Sequence, residues 1–296
     1  MPDIKKILLR SGPCLDSLPF LRLYLAALEN PVSRFLALAL RIKFSPDIFD
    51  EVRRSALPAD QKAALFSRTM NLFKSGNAYK TTAAGRSPLT DAALLASAAP
   101  GSLIVETGVS DGVSALGLLE RAKGCEVLLT DSQDCYRYTD FCCGRRFYAG
   151  DDGSVSVKLP LFYLSTGGGG QAPAGAGRIS LLNPAVTEKF PGAELRPFDI
   201  FSGALPRKAD LIKCANVLNE VYFTPGEIKK ALANLGAGLK DGGRLFVCQN
   251  NGKYKDGEAY FVLGKKGGAL ALEAEVNGHE LLGRLGSPEF ADLLRP

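Results

Sequence analysis

The chain has 296 residues, 46% hydrophobic and 23% charged, with a mean hydropathy of +0.03. This composition suits a soluble globular protein and gives room for one large domain or two. Tryptophan is absent and histidine occurs once, at His279, which excludes mechanisms and metal sites that need two histidines. The net charge of +5 is local, because residues 1–80 carry 13 Lys/Arg against 7 Asp/Glu. Seven cysteines without a CxxC pair, and no signal-peptide pattern, point to reduced thiols and a cytoplasmic location.

Residues 17–98 read as helices. Asn30 and Pro31 open NPVSRFLALALRIKF as N-cap and first helical residue, and Ser45 and Pro46 repeat the device. The apolar run FLALAL at 35–40 falls far short of the ~20 residues of a membrane span. PADQKAALFSRTMNLFKSG places Leu65, Phe66, Thr69, Leu72 and Phe73 on one face, with Gly76 as its stop. Such stripes are core-facing. SPLTDAALLASAAPG forms one more helix, and residues 1–98 are expected to make a helical subdomain. Its basic helices could meet an acidic partner, a phosphate-bearing substrate or a membrane surface, a solvated face being the plainer reading.

From residue 102 the pattern becomes α/β. SLIVET (102–107), CEVLLTD (125–131), AELRPFDI (193–200), ADLIKCAN (209–216) and GRLFVCQ read as strands, with helices over 113–124 and 224–240. Thr224 and Glu227 form a capping box around Pro225. The tail EAYFVLGKKGGALALEAEV reads as an antiparallel hairpin, and His279, after VNG, reads as a surface turn residue. Residues 133–178 interrupt the alternation as a β-rich insertion. DDG suggests a hairpin turn there, and GGGGQAPAGAG has the composition of a flexible segment, suited to a lid.

The turn after the first of these strands, VETGVSDGVSA, is the expected ligand site, since an open parallel sheet binds beyond the carboxyl ends of its strands. A G-x-G-x-x-G fingerprint from Gly108 fails at Ser110 and Val113. An acidic-x-G-x-G-x-G pattern is met by Glu106, Gly108, Ser110 and Gly112, with one Gly-to-Ser change.

This pattern, with Asp131, Asp199 and LIKCANVLNEVYF in order at strand ends, resembles the class I S-adenosylmethionine-dependent methyltransferases over residues 100–250, and the tail hairpin fits that fold's antiparallel sixth and seventh strands. The resemblance implies an α/β Rossmann-like domain over 99–296 that binds S-adenosylmethionine. It implies that the Glu106–Gly112 loop approaches the methionine part, that Asp131 binds the ribose hydroxyls, and that Asp199, with Ile200 beside the ring, reaches the adenine. Asn216 falls where the methyl group and acceptor meet. The G-x-S-x-G loop and the segment with Asn216, Val217, Leu218, Tyr222 and Phe223 are also similar to those of chemotaxis receptor methyltransferases. VSAL replaces that subfamily's Glu-Glu-Pro-Tyr run, so receptor carboxylates are not carried over as substrate.

Asn216, Asn219, Glu220 and Tyr222 are the polar candidates near the methyl group, with Asn216, Glu220 and Tyr222 taken as catalytic. Arg53, Arg54, Arg145 and Arg146 could grip an anionic substrate, and solvated charge is the default. Cys135, Cys142 and Cys143 match no zinc spacing, so no metal is expected. The expected activity is methyl transfer to an O or N atom of a small-molecule metabolite. The alternatives are a protein or lipid methyltransferase docked through the basic helices, or a non-catalytic module binding S-adenosylmethionine or S-adenosylhomocysteine. Ser110 and Val113 disfavour a nicotinamide dehydrogenase. Nucleic acid is not favoured as a partner, and a homodimer is allowed.

Overall fold

Local chemistry starts the helix after Asn30 where the sequence places it, whereas that helix ends early, at Ala39, and the next one starts at Asp47 with Pro46, not Ser45, as its N-cap. In the computed structural model, which describes residues 11–75, 78–79, 83–149 and 153–294, Asn30 Oδ1 accepts from Val32 N at 3.0 Å and Pro31 occupies the first turn. The chain enters through β1 (Gly12–Pro13) and winds into α1 (Leu18–Glu29), α2 (Pro31–Ala39), α3 (Asp47–Arg54) and α4 (Ala59–Met70). Leu65, Phe66 and Thr69 of α4 are buried as their spacing predicts. Helix α4 stops at Met70, however, so Leu72 and Phe73 lie beyond its end in a turn that leads to β2 (Lys74–Ser75) and β3 (Ala78–Tyr79). Gly76, the predicted stop, lies outside the described residues. Phe49 of α3 gathers the Phe66 and Phe73 rings at 5.0 and 4.8 Å, which ties the turn into an aromatic core.

Next come α5 (Pro88–Ser97), β4 (Leu103–Thr107), α6 (Leu116–Arg121) and β5 (Glu126–Asp131). The insertion follows as β6 (Cys135–Phe141), β7 (Gly144–Ala149), β8 (Ser154–Leu159), β9 (Phe162–Gly169), β10 (Gly177–Ser180) and α7 (Pro184–Lys189). With β1 these strands make an antiparallel sheet in the order β1-β9-β8-β7-β6-β10. The two ends of the glycine-rich run are paired: Gly167, Gly168 and Gly169 complete β9, Gly170 N donates to Gly153 O at 2.8 Å, and Gly177 opens β10, while residues 171–176 between them lie outside any strand. Asp151 and Asp152 of the predicted DDG turn lie outside the described residues.

The chain ends in β11 (Leu195–Pro197), β12 (Ala209–Ala215), α8 (Pro225–Gly238), β13 (Leu239–Asn250), β14 (Glu258–Lys266), β15 (Ala269–Val276) and α9 (Leu282–Leu285). The second sheet runs β11-β5-β4-β12-β13-β14-β15. Its first five strands are parallel and its last two antiparallel. Alternation along β4 sorts the core. Leu103 and Val105 pack with Ile228, Leu232 and Leu235 of α8 on one face, while Ile104 packs with Leu94 and Leu118 on the other. The Thr224–Glu227 capping box forms, Thr224 N donating to Glu227 Oε2 at 2.8 Å and Glu227 N to Thr224 Oγ1 at 3.3 Å.

The described residues fall into two compact units, one drawn from Met1–Thr81 and Gln133–Lys189, the other from Thr82–Ser132 and Phe190–Pro296. This differs from a division at residue 98 with an insertion closing at 178. The insertion extends to Lys189 and groups with the N-terminal helices. Helix α5 belongs to the parallel-sheet unit because the buried Glu258 caps it, accepting from Leu89 N and Thr90 N at 2.9 Å each. Four orphan N–H groups at a helix start need such partners.

Candidate functional site

The sheet order reverses at β4: the chain moves outward to β5 and β11, then crosses to β12 on β4's other side. The turns after β4 and β12 therefore lie side by side at the carboxyl edge, where such sheets bind ligands. Three alternate residues of the turn after β4 take left-handed backbone: Gly108 at φ 72°, Ser110 at 58° and Gly112 at 81°. The serine thus adopts the conformation a glycine would hold, at a steric cost glycine does not bear. What stabilises it is visible. Ser110 N donates to Asp131 Oδ2 at 2.8 Å, and Gly108 N and Val109 N both donate to Thr130 O. A Cβ at Gly108 would overlap Val217 Cγ2 in the loop after β12. Gly108 is thus required by close approach as well as by φ.

Glu106 does not face the turn as an open carboxylate. It pairs in register with Lys213 across β4 and β12. Lys213 Nζ lies 2.9 Å from Glu106 Oε1 and 2.7 Å from Asp91 Oδ1 of α5, all three side chains buried. Burial alone would lower the Lys213 pKa, but the two carboxylates hold it above the ordinary lysine value. Arg121 completes the cluster on Asp91 Oδ2 at 3.1 Å. Sequence reasoning missed this cluster. Its signal was one charge in each of two apolar strands, IVET and LIKCA, of opposite sign. Glu106 Oε2, Thr107 Oγ1 and Ser110 Oγ are buried without a hydrogen-bond partner among the described residues. The two orphaned hydroxyls beside the turn, Thr107 Oγ1 and Ser110 Oγ, fit a polar ligand held there.

Asp131 ends β5, nearly buried, with Oδ1 3.3 Å from Ser132 Oγ. Asp199 is exposed and folded onto its own loop, accepting from Phe201 N at 2.9 Å and from Ser202 Oγ. Ile200 packs into the core beside Phe198. Asn216 takes left-handed backbone at φ 59° and exchanges two hydrogen bonds with Asn250 at the end of β13, at 2.8 and 2.7 Å. Asn219 Oδ1 caps the turn by accepting from Val221 N and Tyr222 N, at 3.1 Å each. Glu220 is exposed and ion-paired with Arg284 at 2.5 Å, the arrangement of a surface charge rather than a poised base. Tyr222 is 49% exposed beside the bare Val221, giving the loop an apolar rim.

His279 is a correction. Far from lying at a surface turn, it is 2% exposed, stacked on Tyr254 and edge-on to Phe261 at 5.0 Å. Its Nδ1 accepts from Leu281 N at 3.2 Å, so the neutral ring carries its proton on Nε2, which has no partner among the described residues. Burial pushes its pKa down to about 4, and a ring neutral at pH 7 is no poised acid. Arg53 also leaves the substrate-binding candidates. Its guanidinium donates to Ser180 O, to Leu182 O at 3.0 Å and to Asp50, which fastens α3 to β10. Arg145 is held by Asp47 and Asp140 at 2.6 Å each. A cleft of about 340 Å³ in the first unit contains these groups with Asp16 and Lys158. There Lys158 bridges Asp16 and Asp47, so its central charges satisfy one another.

No family model and no curated protein matches the chain. Among solved structures it is similar to a TehB-like S-adenosylmethionine-dependent methyltransferase from Corynebacterium glutamicum, with 20% identity over 57% of this chain and 66% of that one, at a TM-score of 0.32. It is similar to CalS10, an amino pentose methyltransferase from Micromonospora echinaspora, with 13% identity over 60% and 61%, at 0.32. The sugar N-methyltransferase KedS8 from Streptoalloteichus gives 10% over 65% and 70%, at 0.33. The chain thus spans less than two thirds of the length of the first two, and no residue assignment is taken from these likenesses.

Proposed function

We propose that the chain is an S-adenosylmethionine-dependent methyltransferase acting on an O or N atom of a small molecule. The observation that carries this reading is the turn after β4, with its left-handed Gly108, Ser110 and Gly112 and the clasp of Ser110 N on Asp131. Side chains are withdrawn from the backbone there, and a carboxylate sits at the adjoining strand end. The carboxylate of Asp131 accepts hydrogen bonds and donates none, which suits a ribose diol. The turn backbone and the hydroxyls of Thr107 and Ser110 line the head of β4, where the polar end of the cofactor would lie. Asp199 and Ile200 are assigned to the adenine, an assignment that requires Asp199 to leave its own loop and the ring to reach the core-packed edge of Ile200. The sulfonium of the cofactor supplies the electrophilic methyl group when bound.

The chain's task is then to align an acceptor and exclude water. Asn216, held in one orientation by Asn250, is assigned as a positioning residue, and Tyr222 with Val221 as the apolar wall on the acceptor side. Glu220, paired with Arg284, has no assigned proton to remove. Calorimetric titration with S-adenosylmethionine, S-adenosylhomocysteine and NAD tests the reading. The first two should bind saturably and NAD should not. Asp131→Ala should lose that binding with an unchanged circular dichroism spectrum. Binding of NAD alone would overturn the proposal.

A further inference from the structure

Helix α2 turns its apolar side outward. Val32, Phe35, Leu36, Leu38 and the adjoining Leu40 are 78, 74, 60, 55 and 62% exposed, while Ala37 is the helix's buried residue. At 100° per residue these five cover an arc of roughly 200°, centred opposite Ala37. Single exposed apolar side chains are ordinary on a protein surface, but a contiguous set marks a contact. Leu161, 72% exposed at the β8–β9 turn, is tied to the same short strand as the helix end. Cys14 N donates to Leu161 O at 3.0 Å, and Lys43 N donates to Pro13 O at 2.8 Å.

The charges along the chain segment that carries α2 have one sign. From Asn30 to Lys43 the chain carries Arg34, Arg41 and Lys43 and no acidic residue. Arg22 of α1, Arg34 and Arg41 are exposed. The single acid of α1 and α2, Glu29, is ion-paired with Arg68 at 2.7 Å. On the helical wheel Arg34 borders the apolar arc, between it and the buried Ala37, and Arg41 follows just past the helix end. A twofold contact of α2 with a second copy would crowd arginines against arginines with no acid between them. A surface of phosphate groups above hydrocarbon supplies both missing complements.

We propose that this face docks on an anionic lipid surface, with α2 lying in the interface plane. Phe35 and Leu36 enter the acyl boundary, and Arg22, Arg34 and Arg41 reach the headgroup phosphates, their stems lying along the apolar zone. Among the described residues no helix is long and apolar enough to cross a membrane, so the contact is peripheral and reversible.

Flotation of the full chain with vesicles of phosphatidylcholine, alone or mixed with phosphatidylglycerol, tests this. Binding is expected to the mixed vesicles only, with release by high salt. Phe35→Ser/Leu36→Ser should abolish it without changing the melting temperature, since neither side chain is buried. Arg34→Glu should weaken it by roughly an order of magnitude. The proposal is overturned by equal binding to both vesicles or by binding to neither. It is equally overturned if sedimentation shows a dimer that Phe35→Ser/Leu36→Ser splits while the vesicles stay bare.

Discussion

Gly108 faces two constraints that can be separated. Its φ of 72° taxes any side chain, and its nearest neighbour, Val217 Cγ2, blocks a Cβ directly. Gly108→Ala is expected to lower stability by about 3 kcal/mol, combining left-handed strain with a steric clash. In urea unfolding, the double variant Gly108→Ala/Val217→Ala should fall short of the summed single losses by about 1–2 kcal/mol, because the second change removes the clash and leaves the strain. Full additivity would mean that the two loops do not touch. Ser110 shows the milder case. It tolerates the left-handed region because its N–H gains a carboxylate partner, and this explains how a glycine position of the motif accepts a serine.

At the level of elements, α5 is capped not by its own Ser87, which makes no side-chain cap, but by Glu258 from the start of β14. Glu258→Ala should cost about 2–3 kcal/mol, because it strips charge-assisted bonds from buried N–H groups. Glu258→Gln, which keeps an acceptor, should cost about half as much, and chemical denaturation would compare them. Elements whose signals are local were legible in the sequence. The Asn30 cap, the Thr224–Glu227 box and the glycine turn are each written within a few residues. The Glu258 cap was not legible, because 169 positions separate it from Leu89. His279 failed for the same reason: Tyr254 and Phe261, which enclose it, lie a strand away. The Lys213 cluster was half legible, since the charges stood in the strands but their register did not. The end of α4 at Met70 was missed because an apolar stripe continues through Leu72 and Phe73 into a turn that packs the same core.

For the molecule as a whole, the single histidine gives a defined acid response. In the folded chain His279 titrates near 4, against 6.5 ordinarily, so the unfolded chain binds the proton first. The resulting stability is complete above pH 6.5 and is lost as pH falls from 6.5 towards 4, by about 3 kcal/mol in all. Urea unfolding across that range should show a slope that flattens by about one proton in His279→Gln. If the slope is unchanged, the ring titrates normally and is not enclosed as described.

The interleaving of the two units carries a consequence for synthesis. Residues 82–132 emerge between the two segments that build the first unit, and the parallel sheet itself resumes only after Lys189. At roughly 5–20 residues per second, α1 to α4 wait about 5–20 s for β6 to β10, while β4 and β5 wait in turn for β12. During that interval the nascent chain presents Leu- and Phe-rich helices without their sheet. Its yield in a cell should therefore depend on chaperone capacity more than the stability of the finished protein would suggest.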